Sequence, residues 1–254
     1  MSISNLKNLT AVGVALALTG CVTVNASSLD YKETKNLTLS SANISQLKID
    51  AGAGYLKITG DNSIDKIEVK AIIEAVDEEF KLSLKQKGDH AMLIADANPN
   101  NYFSKGFHSP KIDLIVKVPS HLSLKVHDGS GEMTIHNIKK DVNIDDGSGS
   151  IDISDIGGNL EIDDGSGNMT ISNVTGNIII DDGSGSLEIE KVGGTLNIED
   201  GSGGMDIVDV AGLVTIDDGS GSINLKRLQN GVTIIEEGSG GLKMSDIKGS
   251  VSMK

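Results

Sequence analysis

Residues 145–172 read DDGSGSIDISDIGGNLEIDDGSGNMTIS, and they say nearly the same thing twice. Asp145-Asp146-Gly147-Ser148-Gly149 returns 18 residues later as Asp163-Asp164-Gly165-Ser166-Gly167. Gly-Ser-Gly begins at Gly129, Gly147, Gly165, Gly183, Gly201, Gly219 and Gly238, with five intervals of 18 and a last one of 19. The apolar residues keep step. Met133, Ile151, Met169, Leu187, Met205, Ile223 and Leu242 form one column, and Ile135, Ile153, Ile171, Ile189, Ile207, Leu225 and Met244 the next. A third runs from Ile138 to Ile247, and two more descend from Val142 and Ile144. The odd interval fits as one extra residue in Ile235-Glu236-Glu237, a turn. A fixed period of this length signals one supersecondary unit stacked on copies of itself.

Inside a repeat the apolar residues alternate as in strands: Met133 with Ile135, Val142 with Ile144. Glycines punctuate both connections. The Gly-Ser-Gly corner and a second corner at Gly158, Gly176, Gly194 and Gly212 are expected to use left-handed backbone angles, with Asn230 as a substitute once. Two short strands and two corners return the chain to its start. One such coil cannot offset its own ordering entropy, so neighbours must supply the ladder bonds and cover each apolar layer. The fold class is therefore all-β: a single-chain parallel β-solenoid (β-helix) of about seven 18-residue coils, preceded by irregular longer strands.

The division of the chain follows. Residues 127–254 are the regular repeats, and residues 41–126 an irregular β region that begins and caps the solenoid. Leu47 and Ile49, then Leu56 and Ile58, flank Ala51-Gly52-Ala53-Gly54, a degenerate copy of the corner. Ile67, Val69, Ala71 and Ile73 alternate, as do Ile112, Leu114, Val116 and Val118. The acidic run Glu74 to Glu79 is expected to be a hairpin turn. Residues 21–40 are expected to be a tether and residues 1–20 a signal peptide. Leu9 to Leu18 is an apolar run of about ten residues, too short to span a bilayer as a helix. It ends in Leu18-Thr19-Gly20-Cys21, which resembles the lipobox of bacterial lipoproteins; that likeness implies lipid on Cys21 and a membrane anchor. Val22 stands where an Asp would signal inner-membrane retention, so the expected place is the outer membrane of a bacterial envelope.

The Val118-Pro119 strand end, the strand Leu122-Ser123-Leu124-Lys125-Val126 and the serial Gly-Ser-Gly repeats resemble the bacterial DUF4097 "putative adhesin" β-strand-repeat family, over roughly residues 40–254. The resemblance implies the β-solenoid and an adhesin-like role. It brings no catalytic residues and no cofactor.

Charge and composition narrow the function. The formal net charge is −14, from 22 basic and 36 acidic residues, and Arg227 is the single arginine. Nucleic acid needs clustered cations, so it is excluded as a partner; an acidic surface suits a basic envelope or extracellular protein. Cys21 is the sole cysteine, so no intrachain disulfide forms. Positions 145, 163, 181, 199, 217 and 236 form one acidic column; positions 128, 146, 164, 182, 200, 218 and 237 form a second. The second, with Asp146, Asp164, Asp182, Asp200 and Asp218, is expected to brace the corners by accepting backbone N–H groups. A calcium ladder on these aspartates is the competing expectation, although the Asp lies before Gly-x-Gly rather than after it.

No catalytic residues stand out. No His-x-His, Cys-x-x-Cys or Gly-x-Ser-x-Gly pattern occurs, and no aromatic follows Phe107 to stack a sugar. The expected protein is a non-enzymatic binding or structural module; the alternative is a carbohydrate-active β-helix enzyme, a polysaccharide lyase or hydrolase. Tyr102, Phe103 and Phe107 sit in a proline-bounded loop, either plugging an end of the solenoid or contacting a partner or membrane.

Overall fold

The computed structural model describes residues 31–76, 78–99 and 109–254. Each 18-residue period is one coil of two strands. The first complete pair is β9 (Met133–Ile138) and β10 (Val142–Asp146), and the alternation runs on to β21 (Leu242–Ile247) and β22 (Val251–Met253). Successive coils pair parallel, residue on equivalent residue: Ile151 on Met169 and Ile153 on Ile171 in one sheet, Val142 on Leu160 and Asp146 on Asp164 in the other. Two 11-stranded sheets result. Their facing sides bury the five apolar columns as one continuous core from Ile44 to Ile234, most of it at 0–2% exposure. The nineteenth residue of the last interval shifts the register after Ile216 and leaves Ile235 exposed at the end of the strand Val232–Glu236.

The columns Met133, Ile135, Ile138 step by two and then by three, which a flat strand cannot do while keeping all three inside. The strand solves this with one residue in left-handed conformation. Asn137, Asp155, Asn173, Lys191, Asp209, Arg227 and Asp246 all have φ between 55° and 62° and are skipped by the ladder. Each is a bulge that restores Ile138 and its equivalents to the core. Five of the seven are Asn or Asp, the side chains that tolerate this region best. Lys191 is not, so Lys191→Asn is expected to gain about 0.5–1 kcal/mol in a thermal melt; an unchanged or lower melting temperature would contradict the assigned strain.

The glycines divide differently from expectation. The third residue of Gly-Ser-Gly is the left-handed one, with φ of 140–157° at Gly131, Gly149, Gly167, Gly185 and Gly203. Gly158, Gly176, Gly194 and Gly212 do not have positive φ, and at Asn230 the following Gly231 does (φ 86°). At this corner glycine is required by proximity instead: a Cβ on Gly176 would overlap the Gly158 carbonyl oxygen of the preceding coil.

The N-terminal region shares the core but not the order. β2 (Gln46–Ala53) and β3 (Leu56–Asp61) form a coil directly against β8 (Ser123–Ser130) and β9. The chain then lays β4 (Lys66–Ala75), β5 (Lys81–Lys87), β6 (His90–Asp96) and β7 (Lys111–Pro119) on the outer side of that coil before crossing back to β8. Asp113 ties the two coils, accepting the Tyr55 N–H at 3.1 Å and the Lys111 ammonium at 2.8 Å. Two expectations are corrected. Residues 31–40 are not tether: they form β1 (Tyr31–Ser40), antiparallel to β4 over its whole length. Tyr31, Leu37 and Leu39 pack on the core, because an alternating apolar face next to a sheet edge is worth burying. Nor is the Glu74–Glu79 run a hairpin turn, since β4 and β5 belong to different sheets and the segment is a corner between them. The hairpin lies one strand later, β5 to β6 around Gly88.

The two ends differ. Antiparallel edge strands bearing Lys32, Lys35, Lys81, Lys85 and Lys87 close the N-terminal end, a pattern that discourages edge pairing. At the C-terminal end the inward positions Met244, Val251 and Met253 are 38–53% exposed, because no coil of the described residues covers them.

Candidate functional site

The pleat turns adjacent aspartates to opposite faces. Asp128, Asp146, Asp164, Asp182, Asp200 and Asp218 continue the inward alternation of Val142 and Ile144 and are 0–3% exposed. Asp145, Asp163, Asp181 and Glu199 point to solvent, and Asp145 meets the His127 ring at 3.3 Å. The two acidic columns are thus an interior file and an exterior stripe.

The interior file braces the corner. Oδ1 of Asp164, Asp182 and Asp200 accepts the N–H of the serine two residues on, at 3.2, 3.0 and 3.0 Å. The flanking glycine N–H groups bond between coils, Gly165 to the Asp146 carbonyl at 2.9 Å and Gly149 to the Ser166 carbonyl at 3.0 Å. The second oxygen of Asp128, Asp164, Asp182 and Asp200 is buried without a partner. At Asp146 and Asp218 neither oxygen reaches hydrogen-bond geometry, although corner N–H groups lie near both carboxylates. Burial first, and then the charge of the next aspartate in the file, push Asp128 up to about 7 and Asp146 to about 6. Burial likewise takes Asp182 and Asp200 to about 6 against the pull of the serine N–H, and raises Asp164 and Asp218.

Because the pleat sends the two acidic columns to opposite faces, they do not converge on one ion between them. Among the described residues no group of three or more His, Cys, Asp or Glu is arranged to hold a metal. Asp164, Asp182 and Asp200 brace their corners through the serine N–H groups. Cys21, Tyr102, Phe103 and Phe107 lie outside the described residues.

Two arrangements escaped the sequence reading. His136 and Ser154, 18 residues apart and hence neighbours on adjacent coils, hydrogen-bond at 2.6 Å (Nδ1 to Oγ). The second is a groove of about 810 Å³ where the end of β3 overhangs the bulge column. Its walls include Thr59, Asp61, Lys117, Asn137, Lys139 and Asp155. The two-then-three spacing of the apolar columns was the available signal, since it brings one polar bulge residue per coil to the same edge.

Two sheets of parallel strands stacked coil on coil, with a buried polar corner, define a β-solenoid repeat protein. Residues 75–242 match the family model described as Toastrack DUF4097; the match covers most of the chain, and the chain belongs to that family. Solved structures similar to it include a "putative cell adhesion protein" from Clostridium sporogenes ATCC 15579, at 12% identity and a TM-score of 0.42, covering 88% of this chain and 100% of that one. A "putative adhesin" from Parabacteroides distasonis ATCC 8503 is 13% identical with a TM-score of 0.45, covering 87% of this chain and 97% of its own. A "putative lipid binding protein" from the same organism is 14% identical with a TM-score of 0.42, covering 87% and 96%. No curated protein matches the chain.

Proposed function

We propose that the protein is a lipid-anchored component of the bacterial envelope, an adhesin-like binding or structural module that works without catalysis. The carrying observation is the exact-period stacking itself. It sets one outward-facing carboxylate per coil in register, Asp145, Asp163, Asp181, Glu199, Asp217, on a solenoid with a continuous apolar core. A rigid face repeating at the strand spacing of about 4.8 Å suits contact with an extended surface better than it suits one reacting bond. The stripe's charge favours a basic envelope or extracellular protein. Leu18-Thr19-Gly20-Cys21 supports the anchor, with the outer membrane as its destination.

Replacing Cys21 by Ser tests the anchor. Wild-type protein should partition into the detergent phase and carry a lipid mass on its N-terminal peptide, and the variant should do neither. A wild-type N-terminus without lipid would overturn the anchor. The binding role is tested by capture of basic envelope proteins on the immobilised full-length protein, with Asp163→Asn and Asp181→Asn weakening the capture.

A further inference from the structure

We infer that the groove between the end of β3 and the bulge column is a binding site for a short acidic oligosaccharide. The inference rests on the non-catalytic binding role proposed above and gives it a ligand class. The groove's volume of about 810 Å³ lies within the usual span of small-molecule sites. Its walls come from rigid elements: Thr59 and Lys117 from β3 and β7, Asn137 from the bulge of β9, Lys139 from the corner that follows, and Thr175 from the corner two coils on.

The balance of free groups sets the ligand's chemistry. The two wall carboxylates are engaged within the protein. Asp61 accepts the Ser63 N–H at 2.8 Å and its hydroxyl at 2.6 Å; these bonds first, and then the nearby Lys117 charge, hold that carboxyl below the usual carboxylate range. Asp155 accepts the Asn173 amide at 3.2 Å. The cations are less engaged, Lys117 sensing the Asp61 charge without pairing with it. Among the described residues neither Lys117 nor Lys139 has an ion-pair partner. The groove therefore offers two ammonium groups, the Asn137 amide and the hydroxyls of Thr59 and Thr175 to whatever enters it. An extended molecule that carries carboxylates and many hydroxyls matches this donor set: the ammonium groups take the acid groups, and the amide and hydroxyls read the ring hydroxyls. The position also suits an anion better than the rest of the rod does. Residues 31–126 hold 13 lysines and 12 acidic residues, whereas residues 127–254 hold 8 basic and 23 acidic ones.

The test is calorimetric titration of the full-length protein in detergent with trigalacturonate, with the neutral trisaccharide maltotriose and with inorganic phosphate, at two salt concentrations. Trigalacturonate should bind, and weaken with salt; maltotriose and phosphate should not bind measurably. Lys117→Ala and Lys139→Ala should each weaken binding by roughly tenfold, as for loss of one charge-assisted contact. Lys140→Ala, an exposed lysine outside the groove, should leave it unchanged, and the melting temperatures of all three variants report their folding. Equal binding of the neutral sugar, binding of phosphate alone, or insensitivity to both groove lysines would overturn the site. No binding of trigalacturonate would overturn the ligand class while leaving the envelope-binding role to the capture experiment. Recovery of cleaved trigalacturonate would instead refute the non-catalytic role.

Discussion

Gly167→Ala should abolish the folded state or cost about 4 kcal/mol or more, whereas Gly204→Ala, in the same stack, should be tolerated. Gly167 belongs to the glycine column of the corner, whereas Gly204 stacks between Ser186 and Ser222, and the two differ in what lies beneath them. Gly167 has φ of 156°, and a Cβ there would overlap the carbonyl oxygen of Gly149 in the preceding coil. The overlap is with backbone, which is itself held by the Gly149 N–H bond to Ser166 at 3.0 Å. Nothing nearby is free to move. The same holds at Gly149, Gly185 and Gly203, so relief at one coil would have to be passed to the next. Gly204 has no positive φ, and the nearest atom to its added Cβ is the Ser222 hydroxyl at 3.5 Å, an ordinary contact. There the alanine lowers the entropy of the unfolded chain and should gain about 0.4–1 kcal/mol. Calorimetric melts of the two variants beside wild type decide the matter. A Gly167→Ala protein that melts within two degrees of wild type would show that the corners are looser than their carbonyl contacts imply.

The same corners explain how much of the fold could be read from the chain. Equivalent residues pair at a constant offset of 18, so column, register and inward face follow from a local pattern repeated seven times. The inward place of Asp146 was legible too, since it extends the alternation of Val142 and Ile144 by one more step. The bulge at Asn137 was legible and overlooked: two followed by three is incompatible with an unbroken strand. The threading of the N-terminal region was not legible. β2 pairs with β6 on one side and β8 on the other, partners separated from it by unequal stretches without a period, and nothing in Leu47 or Ile49 distinguishes those neighbours. The groove inherits that obscurity. Lys117 belongs to the out-of-order segment and Lys139 to the repeats, and only the crossing back past β3 brings them to one wall.

The interior aspartates should make the protein more stable in mild acid than at neutrality. Asp128 titrates at about 7 and Asp146, Asp182 and Asp200 at about 6 in the folded chain, against 3.8 for the unperturbed group. Between those limits the folded state holds more protons than the unfolded state, so stability falls as pH rises, with the loss complete above about 7. Glu33, Asp61 and Asp209 are shifted the other way, but they are only partly buried and lose their contribution in stronger acid. The melting temperature should therefore peak near pH 4–5 and decline toward pH 8. Asp146→Asn isolates the cause. The corner N–H groups near Asp146 do not reach hydrogen-bond geometry, so the amide, which keeps an acceptor oxygen toward them, gives up little and removes a buried charge from between Asp128 and Asp164. At pH 8 the variant should be more stable than wild type by about 1 kcal/mol, after allowance for partial solvation of the corner, or roughly 2–4 °C in a chain of this size. At pH 4.5, where Asp146 is already neutral, the gain should vanish. Asp163→Asn removes the same charge from the exterior stripe one coil on and should show no such pH dependence. A wild-type curve that rises from pH 4.5 to 8, or an Asp146→Asn gain of equal size at both pH values, would mean that the file is ionised inside the corner and that some cation accompanies it.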